Sequence, residues 1–128
     1  MSDTTIIPEG VPDSLVPDAG ARCYFEDLTV GRQFVTQRRT VTEADVVAFA
    51  GLSGDFNPLH VDETFASEGP FGQRVAHGLL VLSMATGLRQ QSGVFLGVVR
   101  AFAEVRSWAF RRPVFIGDTI TVVTTIVS

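Results

Sequence analysis

Asp55 and His60 stand five residues apart in the run Gly54-Asp55-Phe56-Asn57-Pro58-Leu59-His60. A carboxylate and an imidazole at that separation can share one proton-transfer task if the chain between them is rigid. Five residues along a continuous helix would put them on different faces, and Pro58 disfavours a helical Asn57. The stretch therefore reads as a loop. Asn-Pro supplies turn chemistry, and apolar segments on both sides would fix the loop at the edge of a core. We read Asp55 and His60 as a catalytic pair on a rigid mount.

Composition removes several other chemistries. All ten basic residues are arginines, so no lysine is present for a Schiff base or a P-loop phosphate contact. Cys23 is the only cysteine, which excludes an internal disulfide and any multi-cysteine metal centre and fits a reducing, cytoplasmic compartment. With 128 residues, 45% of them hydrophobic, and a net charge of −4, one compact domain is expected. The acidic balance argues against nucleic acid as a partner. No apolar run reaches the length of a membrane span, and the first residues lack the basic-then-apolar pattern of a signal peptide.

The elements that must position the pair can be read in order. Residues 1–21 carry Pro8, Pro12 and Pro17 without sustained periodicity and are expected to form a flexible or surface-lying leader before a single domain over 22–128. A strand is expected over Gln33 to Val41. Thr42 then begins a capping pattern with Asp45 three residues on, opening a helix whose Val46, Val47, Phe49, Ala50 and Leu52 form a wide apolar face and which should end near Gly51 to Gly54. After the loop, Asp62 to Ala66 suits one more helical turn. A second helix begins at Ala76-His77-Gly78 and runs to about Gln91. It is apolar almost all round, which predicts a buried helix. Val94 to Val99, Ala101 to Phe110 and Thr119 to Val127 read as strands, with a Gly117-Asp118 turn before the last. Strands and helices in that order suit an α+β arrangement, a curved antiparallel sheet around one helix.

Three motifs in series, Gly54 to His60, Val75-Ala76-His77-Gly78-Leu79 and Arg112-Pro113-Val114-Phe115-Ile116-Gly117-Asp118-Thr119, resemble the MaoC-like, or (R)-specific, enoyl-CoA hydratases of the hotdog fold. The resemblance runs from about Phe25 to the C-terminus. It implies reversible addition of water to a trans-2-enoyl thioester, with Asp55 and His60 activating water and the Gly78 N–H binding the thioester oxygen. It implies an acyl-CoA or acyl-carrier-protein thioester as substrate, no separate cofactor, and a homodimer with its sites near the subunit interface. Members continue beyond the point that matches Ser128, so the sheet is expected to be incomplete at the C-terminus. Thioester hydrolysis on the same fold, or a non-catalytic acyl-thioester-binding subunit of a heteromeric dehydratase, are the alternatives.

The residues themselves suit that chemistry. Hydration of a conjugated thioester needs a base for water, a proton for the α-carbon, and a donor to the oxygen that gains charge. Gly78 opens a helix, where free N–H groups and the dipole favour an anion. Leu79, Leu82 and Met84 are candidate walls for an acyl tail, and Thr86 could offer a hydroxyl. Asn57 reads as a turn-maker within reach of the substrate. His77 either orients the oxyanion loop or is a satisfied structural histidine. Arg111 and Arg112 could meet coenzyme A phosphates, although a solvated strand end is the plainer reading. Nothing has the spacing of a zinc pair, so no metal site is expected.

Overall fold

The computed structural model describes residues 2–7, 24–96 and 99–127. The elements in chain order are β1 (Ser2–Ile7), a 3-10 turn (Phe25–Asp27), β2 (Gln33–Val35), β3 (Arg39–Thr40), α1 (Glu43–Ser53), α2 (Pro58–Val61), α3 (Glu63–Ser67), α4 (Gly78–Gln91) and β4 (Thr119–Ile126). They group into two compact units. One takes its described residues from 1–39, 85–107 and 120–128, and the other comprises 40–84 and 108–119.

The first unit is built on β4. All eight of its residues are β-branched, the side chains that pack best on a pleated surface. It lies between two antiparallel neighbours: β1, in register from Ser2 opposite Ile126 to Ile7 opposite Thr121, and β2, from Gln33 opposite Thr125 to Val35 opposite Val123. The sheet order is β1-β4-β2. Ser2–Ile7, the start of the expected flexible or surface-lying leader, is paired along the edge of β4. The remainder of that expected leader, residues 8–21, lies outside the described residues. Phe34 meets Phe95 edge to face, with ring centroids 5.4 Å apart.

The second unit carries the three motifs. Thr42 caps α1 as its sequence predicts: its side chain accepts a hydrogen bond from the Asp45 N–H, and the Asp45 carboxylate accepts one from the Thr42 N–H. The helix ends at Gly54, whose φ of 76° is the left-handed conformation that glycine adopts at no steric cost. Only Val46 and Ala50 of its apolar face are buried; Val47 and Leu52 are exposed, so the buried stripe is narrower than composition suggested.

Three further expectations change. The helix α4 is not buried on every side. Leu79, Ser83, Thr86 and Gln90 are exposed at the spacing of one helical face, while Leu80, Val81, Met84, Ala85 and Leu88 are buried. No strand forms over the described residues of 94–110, although these alternate apolar and polar side chains; Gly97 and Val98 are outside the described set. Most of 99–110 is exposed and pairs with no neighbouring strand among the described residues. β-propensity expresses packing against a partner, and alone it does not make a strand. The strand expected over Gln33 to Val41 is likewise split into β2 and β3, where Thr36 leaves the ladder. Its hydroxyl accepts from the Val122 N–H at 3.1 Å and donates to Gln37 O.

Candidate active site

Backbone hydrogen bonds stitch the three motifs together at Val75 and Ala76. The Val75 N–H donates to Leu59 O at 3.3 Å, and the Ala76 N–H donates to Val114 O at 2.8 Å. Val75 also bridges to Phe115. The first motif is therefore held on one side of Val75-Ala76 and the third on the other.

The Asp55–His60 stretch is a loop only as far as Asn57. Asn57 is extended, as a residue before proline should be, and its side chain accepts the Leu59 N–H at 3.0 Å to cap α2. Pro58 stands at the first helical position, where its missing N–H costs nothing. His60 thus sits on a short helix rather than in the loop expected, because the capped Asn-Pro pair starts a helix as readily as a turn. The Asp55 carboxylate accepts the Asn57 N–H at 3.2 Å, which holds the side chain over its own turn.

The two histidines are anchored in complementary ways. His60 Nδ1–H donates to Val75 O at 2.7 Å, since a carbonyl can only accept. That bond fixes the tautomer and leaves Nε2 as the atom free to take a proton. His77 is buried, and its Nε2–H donates to the backbone carbonyl of Asp55 at 2.9 Å. Its Nδ1 is a buried acceptor with no partner among the described residues. The two rings stack with centroids 3.8 Å apart, and Phe49 packs on His77 at 5.1 Å. His77 therefore ties the Asp55 loop to the start of α4.

Asp55, His60 and His77 each bring a ligand-type atom within 4.8 Å of the other two. A metal ion lies in the plane of each imidazole that binds it. Rings stacked with planes 29° apart direct their lone pairs side by side, which suits a shared ion poorly. A separation of up to 4.8 Å between the Asp55 carboxylate and a ring nitrogen of His60 is one that a single water can bridge.

Gly78 follows directly. His77 O accepts the Val81 N–H at 3.2 Å, so His77 is the cap and Gly78 the first residue of α4. The first N–H groups of a helix lack intrahelical acceptors and carry its positive dipole end. A side chain here would have to displace the Phe110 ring. A Cβ at Gly78 would lie 2.5 Å from Phe110 Cε1 and 2.8 Å from Cδ1 and Cζ. Sequence reading missed Phe110. Its signal was an aromatic pair two residues apart, Trp108 and Phe110, just before Arg111-Arg112-Pro113.

The family model described as "MaoC like domain" matches residues 26–128. The chain belongs to the MaoC-like domain family. It is 46% identical over 101 residues to Protein MaoC of Klebsiella aerogenes, an alignment covering 79% of this chain and 30% of that one. It is 39% identical over 103 residues to an (R)-specific enoyl-CoA hydratase of Rhodospirillum rubrum, covering 80% of this chain and 69% of the relative. The chain thus spans under a third of the first relative and about two thirds of the second. A solved (R)-hydratase from A. caviae, described as involved in PHA biosynthesis, superposes with a TM-score of 0.66 at 36% identity, over 80% of this chain and 75% of that one. The α+β hotdog fold expected from the motifs is the fold of this MaoC-like chain.

Within the MaoC-like domain, the remaining candidates fall at graded positions along α4. Leu79 is exposed beside Gly78, Leu82 is half-buried one turn on, and Thr86 is exposed on the same face as Leu79. Met84 turns into the core. Among the described residues no helix is long and apolar enough to cross a membrane.

Proposed function

We propose that this MaoC-like domain reversibly hydrates a trans-2-enoyl thioester, carried on coenzyme A or an acyl carrier protein, to the (3R)-hydroxyacyl thioester, as a cytoplasmic homodimer and without a separate cofactor. The observation that carries the reading is the His60 Nδ1–H bond to Val75 O. In the neutral ring it leaves Nε2 as the proton acceptor, on a histidine that clusters with the Asp55 carboxylate. The hydratase and dehydratase names of the relatives support the same class.

The proton inventory closes with these residues. A water between Asp55 and His60 gives a proton to Nε2 as its oxygen bonds to C3 of the enoyl group. The electron pair of the double bond moves towards the thioester oxygen, where the Gly78 N–H and the dipole of α4 stabilise the charge. Collapse of that enolate takes the proton from His60 to C2, which returns the pair to its starting state. The Asp55 carboxylate holds the water and offsets the charge on the imidazolium. Asn57 caps α2 under this pair, while Leu79, Leu82 and Thr86 line the path of the acyl tail.

Crotonyl-CoA tests the reading directly, with enoyl absorbance and free thiol followed together. Hydration removes absorbance without thiol, hydrolysis releases thiol, and a binding-only subunit changes neither. Asp55→Asn and His60→Gln should each lower kcat by about 10²- to 10⁴-fold while thermal melts stay near wild type. Wild-type rates in both variants would rule out the pair as the catalytic groups.

A further inference from the structure

We infer that Phe110 is a specificity-determining residue, the wall against which the planar enoyl thioester is laid at Gly78, with Trp108 as its backing. This rests on the reading of the site as a thioester-hydrating centre. Phe110 is 62% exposed, yet its ring presses on Gly78 closely enough to exclude a Cβ. The Cβ direction in a helix leans towards the N-terminus, so the flank of Gly78 that the ring covers is the flank opening onto the free N–H groups. A thioester oxygen that accepts a hydrogen bond from the Gly78 N–H brings its carbonyl carbon, sulfur and C2 alongside that ring. A conjugated enoyl thioester is flat, and a flat aromatic face is the surface that holds C2 and C3 in one plane for attack by the water at Asp55 and His60.

Trp108 makes the wall stiff. The Trp108 and Phe110 rings meet edge to face with centroids 6.3 Å apart. Trp108 is the less exposed of the two, and its Nε1–H is buried without an acceptor among the described residues. It is also the only tryptophan in the chain, so its fluorescence reports on Phe110.

The wall is used in ground state and transition state alike, so its loss should appear in KM more than in kcat. Phe110→Ala is expected to raise KM for crotonyl-CoA about tenfold with kcat within about threefold, and Phe110→Leu to fall between it and wild type. Gly78→Ala should be nearly inactive because its methyl collides with the ring. Adding Phe110→Ala to Gly78→Ala should then recover about tenfold in kcat/KM over Gly78→Ala alone. Titration with butyryl-CoA, which has no double bond to hydrate, should change Trp108 fluorescence in wild type and much less in Phe110→Ala. Thermal melts confirm that each variant is folded, and Phe110→Leu stands in if Phe110→Ala is not. Wild-type KM in Phe110→Leu and Phe110→Ala, or a double variant no better than Gly78→Ala, overturns the wall. A wild-type protein that leaves crotonyl-CoA untouched overturns the hydratase reading instead, and the butyryl-CoA titration then still decides whether Phe110 contacts an acyl thioester.

Discussion

Two stretches converge on His77-Gly78, one on each residue, and they are held in opposite ways. Asp55 to His60 is fixed by directional polar bonds: His60 Nδ1–H to Val75 O, His77 Nε2–H to Asp55 O, and the Asn57 cap of α2. Trp108 to Phe110 has no ladder among the described residues and is placed by ring contacts with Gly78 and with each other. Hydrogen bonds fix the direction of an atom to within a few tens of degrees, which proton transfer needs. Apolar contacts fix a surface, which is enough to shape a substrate. Damage to the first stretch should therefore appear in turnover, and damage to the second in KM.

The sharpest way to break that contrast, after the pair itself, is His77. Replacing it with Phe keeps a ring against His60 and Phe49 but removes the donor to Asp55 O. The carbonyl of the exposed Asp55 would lose its protein partner, at about 0.5–1.5 kcal/mol in stability. The loop would drift, and a displacement near 1 Å costs about 10²-fold in kcat. His77→Gln keeps a donor and should retain more turnover than His77→Phe. Steady-state kinetics beside thermal melts separate the two effects, and a His77→Phe variant with wild-type kcat would show that the polar half is not held through this residue.

The polar half was also the legible half. Asn-Pro chemistry, the Thr42–Asp45 capping box and a glycine opening an apolar helix are local signals, each written in a few adjacent residues, and the structure uses each where it stands. What sequence left out depends on chain that returns from far away. Phe110 reaches Gly78 only because Ala76 pairs with Val114, and periodicity contains no such information. The same cause explains the absent strands over 99–110, where alternation was present and a pairing partner was not. It explains Leu79 and Thr86 too: hydrophobicity marked α4 as buried, but which face is covered depends on neighbours that a helical pattern does not name.

A smaller effect is expected at Arg74, the residue before Val75. Its Nη1 and Nη2 donate to the Glu43 carboxylate in the first turn of α1 at 2.7 and 2.8 Å, and its Nε donates to Glu63 in α3 at 2.8 Å. The fork thus clamps two helix starts to the strand-like segment that holds His60. Both carboxylates are more than half exposed, so solvent screens the gain. Arg74→Met should lower stability by about 1 kcal/mol or less, a few degrees in melting temperature, with KM unchanged. A loss much larger than that would mean the clamp, rather than Val75 alone, holds the polar half in place.

The pH dependence of that same clamp gives the finest test. The hydrogen bond from Arg74 lowers the Glu43 carboxyl below its ordinary 4.5, against a smaller opposing effect of burial, and the same pairing pushes the Arg74 guanidinium up, so it stays charged throughout. Because the folded state holds this proton less tightly than the unfolded state, stability from Glu43 rises with pH. It is fully present above about 4.5 and is lost as pH falls through the lowered folded value. The melting-temperature gap between wild type and Arg74→Met should therefore be constant at neutral pH and close progressively below 4.5. Carboxylates common to both proteins cancel in that difference, which leaves the clamp as its source. A gap that stays constant down to pH 3 would mean that packing of the Arg74 stem, not its charge, ties the helix starts to Val75.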